Sequence, residues 1–105
     1  MSKIKVIIKR PDEAKGHVTA ISNTLENLQR TVGGYIQVVT LDDDLVLICN
    51  EEGKLRGLAP NCRCKGDLFV GTIIVAGSGF GTGDFADVPE EAVKMWKKGF
   101  LLWPV

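Results

Sequence analysis

An α+β fold in a single domain, a small mixed but mainly antiparallel sheet with two helices, is what three observations predict. Runs rich in β-branched residues recur between turn-forming clusters. Two segments, residues 23–32 and 89–98, carry helical spacing together with helix-end residues. The run 68–76 is apolar on both alternating faces, as a strand covered on both sides must be.

Each element follows from its own residues. Residues 4–9 and 17–21 are short β-prone stretches joined by Pro11-Asp12-Glu13-Ala14-Lys15-Gly16, which reads as an opening hairpin. In 23–32, Asn23 is placed to cap the helix, Glu26 completes a capping box, and Leu25, Leu28 and Val32 recur on one face. Gly33-Gly34 ends it. Residues 35–41 and 45–49 form a second hairpin across Asp42-Asp43-Asp44, whose charges repel one another anywhere but in water. The doubly apolar run 68–76 is expected at the centre of the sheet. In 89–98, Pro89 opens the helix, Glu90 and Glu91 sit at the positive end of its dipole, and Lys94, Lys97 and Lys98 sit at the negative end. Val93, Trp96 and Phe100 are expected to supply the apolar side. The ending Leu101-Leu102-Trp103-Pro104-Val105 is too apolar to dangle in water and should pack on the sheet or on another subunit.

Composition narrows the function classes. A chain of 105 residues can bury one core and constitutes one domain, 1–105, and 45% hydrophobic with 25% charged residues is ordinary for a folded protein. Thirteen basic residues balance thirteen acidic ones, so no overall field draws the chain to nucleic acid or to an anionic membrane. The longest apolar run is far shorter than the roughly 20 residues a transmembrane helix needs. The N-terminal apolar stretch is closed off by charge within a few residues, unlike a secretory signal, and the expected location is the cytoplasm. Three cysteines, Cys49, Cys62 and Cys64, make an odd count that suits a reducing compartment. With His17 they number four potential zinc ligands, but the Cys-x-Cys spacing is not that of a paired knuckle, so buried thiols and no metal or cofactor are expected.

Three polar or glycine-rich segments stand out as candidate sites. Gly77-Ser78-Gly79-Phe80-Gly81-Thr82-Gly83-Asp84 follows a strand and precedes a helix, the setting in which backbone N–H groups cradle phosphate. It lacks the Lys-Ser/Thr of a P-loop, and a plain surface loop is the alternative. Asn50-Glu51-Glu52-Gly53-Lys54 is either a tight turn or, with Asn61, Lys54, Arg56, Arg63 and Lys65, a mixed cluster for a polar or phosphate-bearing ligand. Gly33-Gly34-Tyr35 adjoins it. His17 has no nucleophile beside it in sequence, so no triad can be argued.

Gly33-Gly34-Tyr35-Ile36-Gln37-Val38-Val39, then residues 46–54 (VLICNEEGK), Leu58-Ala59-Pro60-Asn61, Gly66-Asp67 and Val70-Gly71-Thr72 together resemble the family of domains of unknown function numbered 3846. The similarity covers residues 25–77. That family occurs in bacteriophages, plasmids and other mobile elements of gut and soil bacteria and has no assigned reaction or substrate.

The resemblance implies a small phage or mobile-element protein that acts by binding. The function expected is a homo-oligomeric, non-catalytic sponge for a nucleotide-derived immune signalling molecule, working in the host cytoplasm. Its ligand-binding residues are expected to be Gly33, Gly34, Tyr35, Asn50, Glu51, Asn61, Arg63, Gly77 and Gly79. Three alternatives stand beside it: a protein-interaction inhibitor of a host defence or restriction enzyme, a nucleotide phosphodiesterase-like hydrolase, and a nucleic-acid-binding accessory protein, which the neutral charge disfavours.

Overall fold

The computed structural model describes residues 3–79 and 84–105. Among these residues nine strands and two helices follow in the order β1 (Lys3–Lys9), β2 (His17–Ser22), α1 (Leu25–Val32), β3 (Ile36–Asp42), β4 (Leu45–Asn50), β5 (Pro60–Cys64), β6 (Asp67–Val70), β7 (Ile73–Ser78), β8 (Phe85–Ala86), α2 (Glu90–Lys97) and β9 (Trp103–Pro104). The fold is α+β, and every strand pair among the described residues is antiparallel. There are two sheets where one was expected. The larger runs β2-β1-β7-β4-β3 with β8 added beside β7, and the smaller runs β6-β5-β9.

The alternation of side chains across the larger sheet sorts the core into two. On one face lie Ile4, Val6, Ile8, Val46, Ile48, Ile74 and Ala76, covered by Leu28 and Val32 of α1. On the other lie Ile7, Leu45, Leu47, Cys49, Ile73 and Val75, covered by Cys62, Cys64 and Phe69 of the smaller sheet and by Ala92, Val93 and Trp96 of α2. β7 therefore occupies the centre, apolar on both faces, as its sequence predicts.

The run expected to be one strand, 68–76, is two strands in two sheets. Gly71, at φ +72°, takes a left-handed conformation, and a Cβ there would lie 2.8 Å from Leu58 Cδ1. The chain kinks at that point and crosses from β6 to β7. β5 was not foreseen: it begins with Pro60 and its partners lie at β6 and β9. Of the apolar ending, Leu101 and Leu102 pack in the core and Trp103 and Pro104 pair with Arg63 and Cys62 at the edge of the smaller sheet, while the side chains of Trp103 and Val105 stay exposed.

Both helices differ from expectation, α1 in its cap and in Leu25 and α2 in Phe100; with the cap at Thr24, Glu26 no longer stands at the capping-box position. Thr24, not Asn23, caps α1: its Oγ1 accepts from the Asn27 N–H at 3.2 Å, while Asn23 Nδ2 donates to Phe85 O at 2.9 Å. Leu25 is exposed, because the helix starts at that residue and turns it away from the sheet. Thr24→Ala should lower stability by about 1 kcal/mol, measurable as a shift of the urea midpoint at unchanged slope. In α2, Val93 and Trp96 face the core and Phe100 does not, because the helix has already ended at Lys97. Trp96 Nε1 donates to Lys15 O at 2.8 Å, which docks α2 against the loop between β1 and β2.

Candidate functional site

The β4–β5 connection starts at Asn50, whose carboxamide works inward and backward. Its Nδ2 donates to Val32 O at 3.2 Å and its Oδ1 accepts from Glu52 N at 2.8 Å, so one buried side chain joins the end of α1 to the turn that follows β4. Glu51 N donates to Tyr35 O at 2.8 Å, and Arg56 Nη1 donates to Gly33 O at 3.3 Å. Gly34 has no room for a side chain, since a Cβ would meet Asn50 Nδ2 at 2.9 Å. Gly33, Gly34, Tyr35, Asn50 and Glu51 are thus brought together.

A cleft of about 160 Å³ opens beside this turn, where the two sheets meet. Gln37 and Val39 of β3 and Cys49 of β4 form its floor, Leu68, Phe69 and Val70 of β6 a wall, and Glu51, Lys54 and Leu55 the side formed by the turn. Lys54 Nζ lies 3.8 Å from Asp67 Oδ1, an exposed pair at contact range but longer than a good hydrogen bond. On the other side of the turn, Gly34, Tyr35, Glu52, Arg56 and Gln29 surround a second, shallower hollow of about 220 Å³.

The other expected site residues lie elsewhere. Asn61 is in the core, donating from Nδ2 to Lys9 O at 2.7 Å and to Gly71 O at 2.8 Å. Arg63 is exposed on β5, opposite Trp103. Gly77 belongs to β7 and is packed under β8, where a Cβ would run into the Asp87 carbonyl oxygen. Gly79 follows the end of β7, and the remainder of that glycine-rich stretch, 80–83, lies outside the described residues. Gln37, Val39, Asp67 and Phe69 are not among the site residues expected from sequence, although Gln37, Val39 and Asp67 lie in the motifs that carry the resemblance. The one signal was Gln37, a polar side chain in an apolar strand.

The thiols are poor nucleophiles at neutral pH. Burial pushes the Cys49 thiol up, the Asp67 carboxylate adds to this and Lys54 partly offsets it; its Sγ donates to Gln37 Oε1 over a long 4.0 Å. Cys62 is pushed up to about 11, first by burial, with Lys9 opposing and Cys64 reinforcing, and burial raises Cys64 as well against the pull of Lys65. In the unfolded chain these thiols ionise near the ordinary value of 9.0 and in the fold they ionise later, so the folded state holds protons that the unfolded state releases. Their contribution to stability is fully present below pH 9 and should be lost as pH rises above it, that of Cys62 as pH approaches about 11. Urea unfolding at pH 8 and pH 10.5 should show that decline, and a triple Cys→Ala or Cys→Val variant should lessen it. His17 is engaged with Glu13, Nδ1 to Oε2 at 2.9 Å.

Taken together, these features define a small α+β protein with a cleft of mixed polar and apolar lining at the junction of two antiparallel sheets. The family is then specific: the model of a domain of unknown function, DUF3846, matches residues 4–101, and the chain belongs to that family. The match extends beyond the 25–77 stretch that carries the recognisable motifs, taking in β1, β2 and α2. No curated protein and no solved structure matches the chain.

Proposed function

We propose that the protein is a non-catalytic binding protein that sequesters a small nucleotide-derived molecule in the cleft between the sheets, a counter-defence role in keeping with the mobile-element setting its family resemblance implies. The observation that carries this reading is the pairing of apolar lining residues, Val39, Leu68 and Phe69, with a cation at the rim that is only loosely engaged. A flat ring can exchange water for the apolar surface. The Gln37 carboxamide offers both a donor and an acceptor to its edge. Lys54, held 3.8 Å from Asp67, can turn to a phosphate at little cost, because an exposed pair of that length is weak. The raised thiol of Cys49, the one cysteine among the lining residues, favours holding a ligand over attacking it.

The test is native mass spectrometry of the purified protein after incubation with an extract of nucleotide metabolites. A bound species that is released intact is expected; a species that returns altered would mean an enzyme, and a folded protein that binds nothing would overturn the reading. Lys54→Glu should weaken binding at least about tenfold, which corresponds to roughly 1.4 kcal/mol, while stability moves by no more than about 0.5 kcal/mol, as for an exposed side chain. A second reading, an inhibitor that docks on a host protein, is favoured by Phe100, Trp103 and Val105, exposed at 59%, 49% and 65% near the C-terminus. Pull-down retained in Lys54→Glu and lost in Trp103→Ala would support it.

A further inference from the structure

We propose that the open edge of β3 pairs with β3 of a second copy, antiparallel and centred on Val38, so that the larger sheets of two chains become one. β3 is the last strand of its sheet, with β4 on one side and no strand among the described residues on the other. The phase of the ladder fixes which backbone groups are left over. Glu51 N donates to Tyr35 O, and Ser78 N donates to Asp44 O, so odd-numbered residues of β4 face β3 and even-numbered ones face β7. Tyr35, Gln37 and Val39 therefore spend their backbone groups on β4. Ile36, Val38 and Thr40 turn theirs outward.

That outward set is self-complementary. Centred on Val38, an antiparallel copy places Val38 opposite the partner's Val38 and Ile36 opposite the partner's Thr40, outward residue against outward residue, which is what a hydrogen-bonded antiparallel pair requires. No charged residue lies between Ile36 and Leu41, and β3 has neither the proline nor the lysine that commonly blocks a free edge. Val38 is 43% exposed, a large apolar side chain on that open strand.

Charge at the two ends selects a second copy over an unrelated strand. One end of β3 carries Asp42, Asp43 and Asp44, none of which has a cationic partner among the described residues. At the other end Arg56 leans on the Gly33 carbonyl and likewise has no carboxylate partner there. The same two-fold that aligns Val38 with itself brings the Asp42 end of β3, just past the register shift at Thr40, to the partner's Gly34 end, against which Arg56 packs, and does so twice. Gln37 then lies beside the partner's Val39, on the face that carries the cleft, so each cleft gains side chains from the other chain. The inference concerns the protein without ligand and stands whether or not the cleft binds a nucleotide.

Sedimentation velocity of the ligand-free protein should give a mass twice the 11.4 kDa of the chain. Val38→Pro removes only an outward N–H, so it should abolish the dimer and leave a folded monomer. Val38→Cys should crosslink to itself on mild oxidation, because a hydrogen-bonded antiparallel pair sets Cα atoms about 5.5 Å apart, within the disulfide range. Thr40→Cys should not, since it faces the partner's Ile36. The native cysteines are buried and do not compete. Arg56→Glu should weaken the dimer and Asp42→Arg in the same chain should restore it. A monomer across the concentration range, or a dimer in which Val38→Cys fails to crosslink, would overturn the proposal; should Val38→Pro fail to fold, the crosslinking result decides alone.

Discussion

Asn61→Leu is expected to lower stability by about 3 kcal/mol, a large share of the roughly 5–15 kcal/mol that holds a domain of this kind together. Asn61 is 1% exposed, and its Nδ2 is the hydrogen-bond donor for two main-chain carbonyls, Lys9 O at 2.7 Å and Gly71 O at 2.8 Å. Replacing it with an apolar side chain strands both acceptors, each costing about 1–3 kcal/mol when buried. Part of that is returned, because Asn61 Oδ1 is itself buried without a partner and its removal relieves a standing penalty. Two donated bonds against one unmet acceptor leave a net loss. Asn61→Asp should be worse, since an ionised carboxylate would face two carbonyl oxygens with no proton to offer. The backbone carbonyl of Asn61 also accepts from Lys9 Nζ at 3.3 Å, so the disturbance should reach the end of β1. Urea titration followed by tryptophan fluorescence would measure it, and a loss below about 1 kcal/mol would mean that water replaces the amide in the variant.

Gly77→Val should have a comparable or larger effect, about 3 kcal/mol or failure to fold. The atoms in the way are backbone: the Asp87 carbonyl oxygen directly and the Ala86 carbonyl oxygen at 3.2 Å from the position of a Cβ. No side-chain rotation can make room, so β8 would have to leave β7. Its departure removes a strap, because Asp87 Oδ1 accepts from Lys5 N and Val88 N donates to Lys5 O, both at 2.8 Å, just before α2. Amide exchange at Val88 should accelerate with the loss of global stability or ahead of it, and Gly77→Ala should show the same change on a smaller scale. Wild-type stability in Gly77→Ala would show that β8 yields without cost.

Those two residues also mark where reading from sequence stops. Both were candidate ligand contacts, Asn61 for its amide and Gly77 for its place in a glycine-rich stretch, and both are packing residues. An asparagine reads the same whether its amide faces water or two buried carbonyls, and a glycine reads the same whether its bare Cα faces a phosphate or another strand. Local signals fared better where they were redundant. β3, β4 and β7 carry β-branched runs whose alternation or double apolarity is set by burial itself. β5 carries no such run; it is a strand because β6 and β9 flank it, a cause that lies outside the segment. The turn from Asn50 onward was legible as a polar turn beside Gly33, Gly34 and Tyr35. The cleft was not, because its floor and wall come from β3 and β6, which lie thirty residues apart and meet only when the smaller sheet folds over the larger.

The position of β7 bears on how the chain comes to be folded at all. It lies between β1 and β4, yet it follows both in the chain. During synthesis the hairpins β1–β2 and β3–β4 can each close locally, but neither is joined to the other until residue 78 has emerged, because among the described residues the strand that pairs with both is the later one, β7. A nascent chain stalled before that point carries two separate ribbons with unpaired inner edges, the state most prone to pairing with the wrong neighbour. The kink at Gly71 that delivers β7 between them is then a step in assembly, acting once per molecule, before any ligand arrives.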